Sequence, residues 1–519
     1  MQIFFGDVHN HCAISYGFGS LDQALEIARS HLDFVAVTGH ALWPDMYESN
    51  PDTAFIVGFH REGFRKLREH WPEINAKIEA ANRGSLVTLF SYEMHSRAFG
   101  DYHFLSPDPA MPLLEGESPG VIVAALAAAG VEAIAIPHHI GYVSDYRGIN
   151  WSQFDPKLSP FVEVYSKHGC SMRETSPWPY YHDMGPRVSG NLVEAGLAAG
   201  HRFSFAASTD HHAGYPGSYG DGLLALYAEE LSRPAIWQAL RRGHGYALTG
   251  DRIEARFTVS QTAEAPPATA GFDGSILPGS VLRPNGAPLQ LRYAVEGLYP
   301  LDRVLLYRNG RVLHSYDACA ATAPAGPEET CLLRLELGWG DDRRRLYRWE
   351  GELMVDRARI DRVTPCFRGL SVVSPTSVPE GMDSDTANAI VNRIEELRED
   401  RVRFTCETVA NNSTLHPQTV ALVLRMTGDP GRAGLRLRLN GREESFALSE
   451  LLRGSVAGHV RPWHSQAWRL HQAFPLSLCS AAGTVTVPGG AEPGDYYHLE
   501  VSQKNGQMAF VSPICFTAD

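Results

Sequence analysis

The sequence lacks the features that mark membrane proteins and disulfide-rich secreted proteins. None of its apolar runs approaches the roughly 20 residues that a membrane helix requires. The N-terminus enters an apolar strand pattern directly, without the basic segment and apolar core of a signal peptide. The eight cysteines include no CxxC pair, which fits reduced thiols better than a disulfide framework. We therefore expect a cytoplasmic protein.

An excess of positive charge is missing as well. Lys and Arg number 46 against 59 Asp and Glu, and the formal net charge is −13. Such a balance argues against nucleic acid or an anionic membrane as the main partner. The expected partner is a small molecule, and whether the chain forms a homo-oligomer stays open.

The length of 519 residues predicts two or three domains. Up to about residue 252, apolar strand patterns alternate with helical patterns, which favours a parallel sheet or barrel of the α/β class. The predicted helices are one that begins at Ser20 with a capping box to Gln23, one over 59–82 that Pro72 kinks or splits, and others over 119–129, 189–199 and 234–242.

Residues 253–519 have a different character. Residues 262–287 are rich in Ala, Pro and Gly and indicate a loop or linker. Beyond them, Asn309-Gly310 predicts a tight hairpin, and Leu435–Leu439 alternates strictly between apolar and charged residues. One helix is expected over Ser384–Asp400. This region is therefore predicted to be mainly antiparallel β-structure, in one or two sandwich-like modules.

Histidines and carboxylates recur directly after the short apolar runs of the first half. Of the 22 histidines, several follow such runs, as do two acidic residues; the set is His9, His11, His40, Glu93, His138, Asp210 and His212. Runs of this type are typical of buried parallel strands. Because the carboxyl ends of barrel strands meet at one mouth, we expect these side chains to share one site.

The strongest local pattern is His9-Asn10-His11. Side chains alternate along an extended segment, so both imidazoles point to the same side. Imidazole is a ligand for Zn, Fe and Mn ions. Asp7 falls on the same face, where it is expected to orient one of these histidines.

The order of these residues resembles the pattern of the polymerase and histidinol phosphatase (PHP) superfamily, in which HxH is followed by a strand-end His, a Glu, a His and a terminal DxH. The segments 224–228, 236–241 and 246–250 are also similar to a large group of PHP-like bacterial proteins of unknown function with a C-terminal β-sandwich. The resemblance implies a distorted seven-stranded (β/α) barrel over 1–252 and two or three divalent metal ions.

Carried over by position, the resemblance implies that His9, His11, Glu93 and Asp210 hold a first metal. Glu93 then bridges to a second metal at His138, and His40 and His212 bind a third. The sequence departs from the family in two places. Ser15-Tyr16-Gly17-Phe18 offers no strong ligand after the HxH, and Gly39 replaces the usual acid before His40. The third site is therefore short of protein ligands.

Several roles stay open at this stage. His168 is expected either to complete the second metal site or to act on the substrate as a general acid, and His103 is a ligand, a proton shuttle or a structural residue. Because neighbouring side chains of a strand point opposite ways, one histidine of each pair should bind metal; family position favours His138 over His139 and His212 over His211. Cationic groups for an anionic substrate are Arg97, Arg147, Lys167 and Arg173. Trp43, Tyr142 and Trp178 either shape the pocket or pack in the core.

These residues predict a hydrolase that uses metal-activated water. Glu93, Asp210, His168, His103 and Arg173 are its candidate catalytic groups, with Mn, Zn or Fe as the ion. The resemblance favours phosphoesters as substrates. Two alternatives remain: hydrolysis of a carboxylic ester, amide or lactone at the same centre, and a non-catalytic protein that binds carbohydrate or another protein.

Overall fold

The computed structural model describes residues 1–178, 184–262, 276–317, 328–339, 346–370, 391–409, 419–461 and 465–518. These residues form a mixed α/β structure in which strands outweigh helices. No helix among them is long and apolar enough to span a bilayer.

The N-terminal half alternates strands with helices. Its strands are β1 (Gln2–Asp7), β2 (Phe34–Leu42), β3 (Val87–Met94), β4 (Tyr102–Ser106), β5 (Ile134–Pro137), β6 (Phe161–Ser166), β7 (Gly169–Cys170), β8 (Ser204–Ala207), β9 (Leu223–Ala228) and β10 (Gly245–Leu248). Its helices are α1 (Leu21–His31), α2 (Ala54–Ala81), α3 (Pro119–Ala128), α4 (Val193–Ala198) and α5 (Arg233–Arg241).

Helices α1, α3 and α5 begin within one residue of the predicted positions, whereas α2 begins five residues before the predicted start, at Ala54. The hydroxyl of Ser20 accepts a hydrogen bond from the Gln23 backbone N–H and caps α1, as the sequence pattern predicts. Pro72 lies within α2, which continues past it as a single helix. The predicted helix over 189–199 is shorter, because residues 189–191 form a 3₁₀ turn before α4.

The sequence pattern favours a parallel sheet or barrel in this half. In the structure, however, not all of its strands are parallel. β1, β2 and β3 pair in parallel, but β4 pairs antiparallel with β3 and with β5, and β9 pairs antiparallel with β1. Only residues 95–101 connect β3 to β4, and a parallel crossover needs a longer connection than this. Since β4 reverses the direction once, β5 again runs the same way as β3.

The expected closed barrel is not confirmed. β5 is the last strand of one large sheet, whereas β6 and β8 pair in parallel in a separate sheet with β7. Within the described ranges, an isolated parallel bridge between Asn10 and His211, just beyond β1 and β8, links the two sheets. The sheets also share one apolar core, which contains Phe4, Phe34, Ile136, Phe161 and Ala206. The two sheets thus enclose an interior without a continuous ladder around it.

The C-terminal half consists mainly of antiparallel strands. They are β11 (Glu254–Gln261), β12 (Val281–Leu282), β13 (Leu289–Glu296), β14 (Leu301–Arg308), β15 (Arg311–Asp317), β16 (Glu329–Gly338), β17 (Leu346–Asp356), β18 (Ala358–Cys366), β19 (Arg393–Leu397), β20 (Arg401–Val409), β21 (Val420–Gly428), β22 (Gly434–Leu439), β23 (Arg442–Ala447), β24 (Val456–His459), β25 (Ala467–Leu470), β26 (Phe474–Pro475), β27 (Ser480–Val487), β28 (Tyr496–Gln503) and β29 (Met508–Phe516). The short helix α6 (Leu448–Leu451) follows β23.

Two of the sheets in this half pack face to face. One has the strand order β18-β21-β16-β25-β24 and the other β19-β20-β17-β22-β23, and residues such as Leu335, Trp349 and Leu437 from both fill the core between them. The leucines of β22 are buried and the arginines between them are exposed, as the alternation predicts. Asn309 and Gly310 both have positive φ in the β14–β15 turn, which confirms the hairpin.

Two features of this half differ from the sequence prediction. Residues 393–397 form strand β19 in place of the expected helix; of the remainder of that prediction, 384–390 lie outside the described residues. The end of the chain also returns to the N-terminal half, because β29 pairs antiparallel with β10. The large sheet therefore runs in the order β15-β14-β28-β29-β10-β9-β1-β2-β3-β4-β5, with β12 beside β29.

Candidate metal centre

The strand-end residues meet at one end of the two N-terminal sheets. His9 and His11 follow β1, His138 follows β5, and Asp210 and His212 follow β8. His40 and Glu93 lie near the C-terminal ends of β2 and β3, where they are paired with each other across the two strands. All of these side chains are buried. The structure thus brings together residues separated by 200 positions in sequence.

Glu93 lies at the centre of the cluster and faces two groups of histidines. Its Oε2 lies 3.5 Å from Nε2 of His9, 3.5 Å from Nε2 of His11 and 3.8 Å from Nε2 of His40. Its Oε1 lies 3.2 Å from Nε2 of His138 and 3.2 Å from Nδ1 of His95. A carboxylate whose two oxygens face different donor groups has the arrangement of a bridging ligand.

Asp210 completes the first of these groups from the opposite side. Its Oδ1 lies 3.1 Å from Nε2 of His11 and 3.4 Å from Nε2 of His9, and its Oδ2 lies 2.9 Å from Nε2 of His168. Asp210 has a φ of 50°, in the left-handed region that non-glycine residues seldom adopt. Strained backbone of this kind concentrates at functional sites.

The two histidines of the HxH pattern are held by their second ring nitrogens. Nδ1 of His9 donates to Oε2 of Glu163 at 2.9 Å, and Nδ1 of His11 donates to the carbonyl of Thr38 at 2.8 Å. Each bond directs the Nε2 atom toward Glu93 and Asp210. Hydrogen bonds of this kind fix the ring orientation of metal-binding histidines.

The predicted role of Asp7 was wrong in its detail. In the part of the chain that the structure describes, its carboxylate forms no hydrogen bond with an imidazole; it accepts hydrogen bonds from the hydroxyl of Thr209 at 2.6 Å and from the backbone N–H of Gly217 at 2.8 Å. It also accepts from the backbone N–H groups of Thr209 and His9. Asp7 therefore holds the loop that carries Asp210 and His212, and Glu163 takes the orienting role.

His138 and His139 both turn toward the centre, contrary to the expectation that only one would. Atoms of His138, His139 and Asp101 lie close enough together to bind one ion. His139 has a φ of 32°, which breaks the extended alternation on which that prediction depended. In the other pair, His212 groups with His11 and His40, whereas His211 joins no such group among the described residues; the choice of His212 as the ligand stays a prediction.

His103 lies behind the cluster. Its Nδ1 is 3.2 Å from Nδ1 of His138, its ring stacks on His9 at 4.7 Å, and its Nε2 has no hydrogen-bond partner among the described residues. His103 does not line the cavity described below. Its position suits a ligand or an ion-supporting residue better than a shuttle that reaches the substrate.

A second layer of polar residues extends from Oε1 of Glu93. Nδ1 of His95 lies 2.9 Å from Oδ2 of Asp101, and the hydroxyl of Tyr16 lies 2.6 Å from Nε2 of His95. Arg147 donates to the same Asp101 oxygen at 2.8 Å. His95 and Asp101 are not among the residues predicted from sequence, although His95 follows Glu93 by two residues and so shares its side of the strand.

Three of the four predicted anion-binding residues do not line the cavity. Arg173 pairs with Glu500 and Glu194, so its predicted catalytic role is not supported by its position. Lys167 is buried 3.8 Å from Asp221, and Arg97 packs on the ring of Tyr47 at 4.5 Å. Arg147 is the fourth residue, and it does line the cavity.

Burial and the mutual contacts set the charge of the cluster. Burial alone would raise the pKa of Glu93, but His138, His40 and His95 hold it well below its usual value. Burial opposes ionisation of Asp210 too, and His9 and His168 outweigh it and lower that pKa. Burial instead lowers the pKa of His40, with a further contribution from His11. The two carboxylates are therefore held ionised and His40 neutral, as metal ions require, whereas Asp210 and Glu163 outweigh the effect of burial on His9 and raise its pKa well above its usual value, so a bound ion has to displace that proton.

The residues present fit divalent ions. Nε2 of His9 and Oε2 of Glu93 are buried without a hydrogen-bond partner among the described residues, which is costly unless a cation satisfies them. Ligands that bind one ion at about 2.1 Å lie about 3.0–3.5 Å from one another. Most distances from Glu93 and Asp210 to the surrounding imidazoles fall close to this range. Imidazole with carboxylate suits Mn, Zn and Fe alike.

A cavity of about 440 Å³ opens onto the cluster. Its floor contains His40, Glu93, His168, Asp210 and His212. Its walls come mainly from residues 43–60 and 139–147, and they include Trp43. The other two aromatic residues considered from sequence differ: Tyr142 is fully buried, and Trp178 donates to the carbonyl of Gly506.

Comparison with known proteins gives partial matches in sequence. Residues 196–270 match a family described as "Protein of unknown function (DUF3604)". Uncharacterized proteins of Chlamydia trachomatis and Chlamydia muridarum are 27% and 26% identical over 196 residues, which is 36% of this chain and 30% of theirs. The matched part thus spans about a third of the length of these relatives.

Solved structures give remote matches. A two-domain protein from Bacteroides vulgatus that contains a predicted PHP-like metal-dependent phosphoesterase is 14% identical, with 59% of this chain and 78% of that chain covered and a TM-score of 0.31. The lesion-specific endonuclease EndoQ of Pyrococcus furiosus is 12% identical, with 46% and 56% covered and a TM-score of 0.28. Likeness at this level carries no argument about activity.

Proposed function

We propose that the protein is a metal-dependent hydrolase with a centre of two or three ions, and that phosphoesters are its substrates. The observation that carries the proposal is the position of Glu93, whose two carboxylate oxygens face two different groups of buried histidines. When bound, ions at such a centre supply a water that ionises near neutral pH and positive charge that stabilises an oxyanion.

The residues of the chain divide the remaining work. His9, His11 and Asp210 would hold one ion with Glu93, and His138 would hold the second. His40 and His212 group with His11 and would hold a third ion. At this third site Tyr16 stacks on the ring of His40, and it occupies the part of the sequence where the PHP superfamily often has a further ligand.

Arg147 is the cationic side chain that favours a phosphoester. It lines the cavity, and its guanidinium can donate to a non-bridging oxygen while Asp101 keeps it in place. In hydrolysis, an oxygen–phosphorus bond forms from water, the ester oxygen–phosphorus bond breaks, and the leaving oxygen receives a proton. His168 and His95 both line the cavity and are candidates to hold that proton.

A carboxylic ester or lactone is the second candidate substrate. The observation in its favour is that Asp101 already neutralises Arg147, which leaves less charge for a phosphate group. The deciding experiment incubates the protein, reconstituted separately with Mn, Zn and Fe, with 4-nitrophenyl phosphate and 4-nitrophenyl acetate. We expect turnover of the phosphate that a chelator abolishes; turnover of the acetate alone would favour the second candidate, and turnover of neither would contradict both.

A variant of His168 separates its two proposed roles. If His168 holds the second ion, His168→Gln should lower the metal content of the purified protein. If it acts as a general acid, the metal content should stay unchanged and the alkaline limb of the pH–rate profile should be lost.

A further inference from the structure

The wall of the cavity is largely aromatic. Six of its lining side chains are Tyr16, Trp43, Tyr47, Ile56, Phe59 and Tyr146, and Ile56 is the one aliphatic member of that set. They come from three separate parts of the chain: the turn after the HxH, the segment that leads into α2 together with the first turns of α2, and the loop after β5. Apolar walls around a few polar groups are typical of sites for small molecules with a large apolar part.

This wall begins in direct contact with the candidate metal centre. The ring of Tyr16 stacks on His40 with 3.5 Å between centroids, and Phe59 lies 4.8 Å from Tyr16. A group bound beside the ions would therefore already touch aromatic rings. The part of a substrate that contacts this surface would be the leaving group, which is attached to the reacting ester.

The cavity offers little charge to bind a second anionic group. Among the described residues that line it, Arg147 is the one Arg or Lys, and it already pairs with Asp101 at 2.8 Å. Arg97 lies against the ring of Tyr47 and donates to the carbonyl of Asp145, so it does not reach the lining. Away from the ions, a second anionic group would therefore meet only this paired guanidinium among the described lining residues, which disfavours polyphosphates and oligonucleotides.

We propose that the preferred substrates are esters with a single anionic group and a planar aromatic or similarly apolar leaving group. The hydrolysis of these esters rests on the proposed function. The preference for binding an aromatic group does not depend on it. Aromatic rings stack or meet edge to face with other rings, and burial of one ring removes a large apolar area from water.

The first test compares benzyl phosphate with ethyl phosphate. Both are esters of primary alcohols of similar acidity, so a difference in kcat/KM reports binding of the ring and not leaving-group chemistry. We expect a preference of roughly tenfold or more for benzyl phosphate. Equal kcat/KM for the two esters, or a preference for tripolyphosphate over both, would overturn the proposal.

Two variants one helical turn apart supply a matched comparison. Phe59 lines the cavity, whereas Phe55 is 72% exposed and does not. Phe59→Ala should lower kcat/KM for benzyl phosphate more than for ethyl phosphate and so remove most of the preference. Phe55→Ala should leave both rates as they are. Equal effects of the two variants would contradict the assignment of Phe59 to the leaving-group wall.

A binding measurement distinguishes failure of this proposal from failure of the proposed function. Calorimetry with phenylphosphonate and methylphosphonate requires no turnover. We expect phenylphosphonate to bind roughly tenfold more tightly, and Phe59→Ala to abolish the difference. If phenylphosphonate binds selectively but no ester is hydrolysed, the proposed function fails and the aromatic site stands. Equal binding, or binding of neither, overturns the aromatic site.

Discussion

The two halves of the chain bury different kinds of residue. In the C-terminal sandwich, Leu335, Trp349 and Leu437 fill the core, while charged residues such as Glu350 and Arg438 lie on the outer face. At the strand ends of the N-terminal half, histidines and carboxylates are buried against one another. Apolar burial contributes to stability, whereas clustered buried polar groups are costly without a partner. The comparison teaches that the N-terminal cluster opposes folding unless a bound cation satisfies its buried polar groups.

The largest expected effect comes from breaking the N-terminal cluster without changing its shape. Asp210→Asn keeps the size of the side chain but removes the charge that faces His9, His11 and His168. We expect phosphoesterase activity to fall roughly a thousandfold, since the loss of a ligand charge costs several kcal/mol in the transition state. Circular dichroism should show that the variant is folded. Retention of more than a tenth of the activity would contradict the role of Asp210.

The converse change weakens the core of the C-terminal sandwich and leaves the residues of the candidate metal centre unaltered. Leu335 is fully buried, and Leu335→Ala should lower the free energy of unfolding by about 2–5 kcal/mol. Leu346→Ala, at a site that is 40% exposed, is the control and should change it by less than about 0.5 kcal/mol. Denaturant unfolding measures both. Metal content per folded molecule should be equal in the two variants; a loss in Leu335→Ala alone would show that the halves are coupled.

The contact between the halves should respond to pH. Glu500 of β28 is buried against Arg173 and His498, and although burial opposes its ionisation, these partners lower its pKa to about 2. Because the pKa of Glu500 is lower in the folded state, its stabilising contribution is full above pH 4.5 and is lost as the pH falls toward 2.

Glu500→Gln should therefore lower the unfolding free energy by about 3 kcal/mol at pH 7 and make the acid dependence between pH 4.5 and 2 shallower. Urea unfolding over that pH range measures both effects. An unchanged acid dependence in the variant would show that Glu500 titrates normally.

A smaller effect is expected from the residue that orients His9. Glu163→Gln removes the carboxylate that accepts from Nδ1 of His9 but leaves the ligands in place. Metal affinity, measured by competition with a chelator, should fall roughly 10- to 100-fold. Glu26→Gln is the control, since that side chain is 79% exposed. Equal affinities in the two variants would contradict the orienting role.

The sequence predicted the residues of the centre better than their surroundings. Each of His9, His11, Glu93 and Asp210 follows or ends an apolar strand, and the convergence of strand ends brings such residues together. Glu163 was missed because it lies within an apolar strand pattern, where a carboxylate carries no local sign of its partner 154 positions away. Alternation did not predict the position of the His139 side chain, because alternation assumes extended backbone and His139 has a positive φ.

The fold shows the same difference between local patterns, which the sequence predicts, and pairings of distant segments, which it does not. The alternation of β22 and the Asn309-Gly310 turn are local patterns, and the structure confirms both. The pairing of β29 with β10 joins segments that are far apart in sequence, so no local pattern predicts it. The strand at 393–397 was predicted as helix, and its pairing with β20 outweighs the local preference.

The metal content of the purified protein tests the central claim most directly, with Glu93→Ala and Glu26→Ala compared by inductively coupled plasma mass spectrometry. If Glu93 bridges the centre, the unaltered protein and Glu26→Ala should each hold about two or three ions per chain, and Glu93→Ala should lose at least one of them. Less than one ion per chain in the unaltered protein after reconstitution, or equal content in all three proteins, would contradict the account.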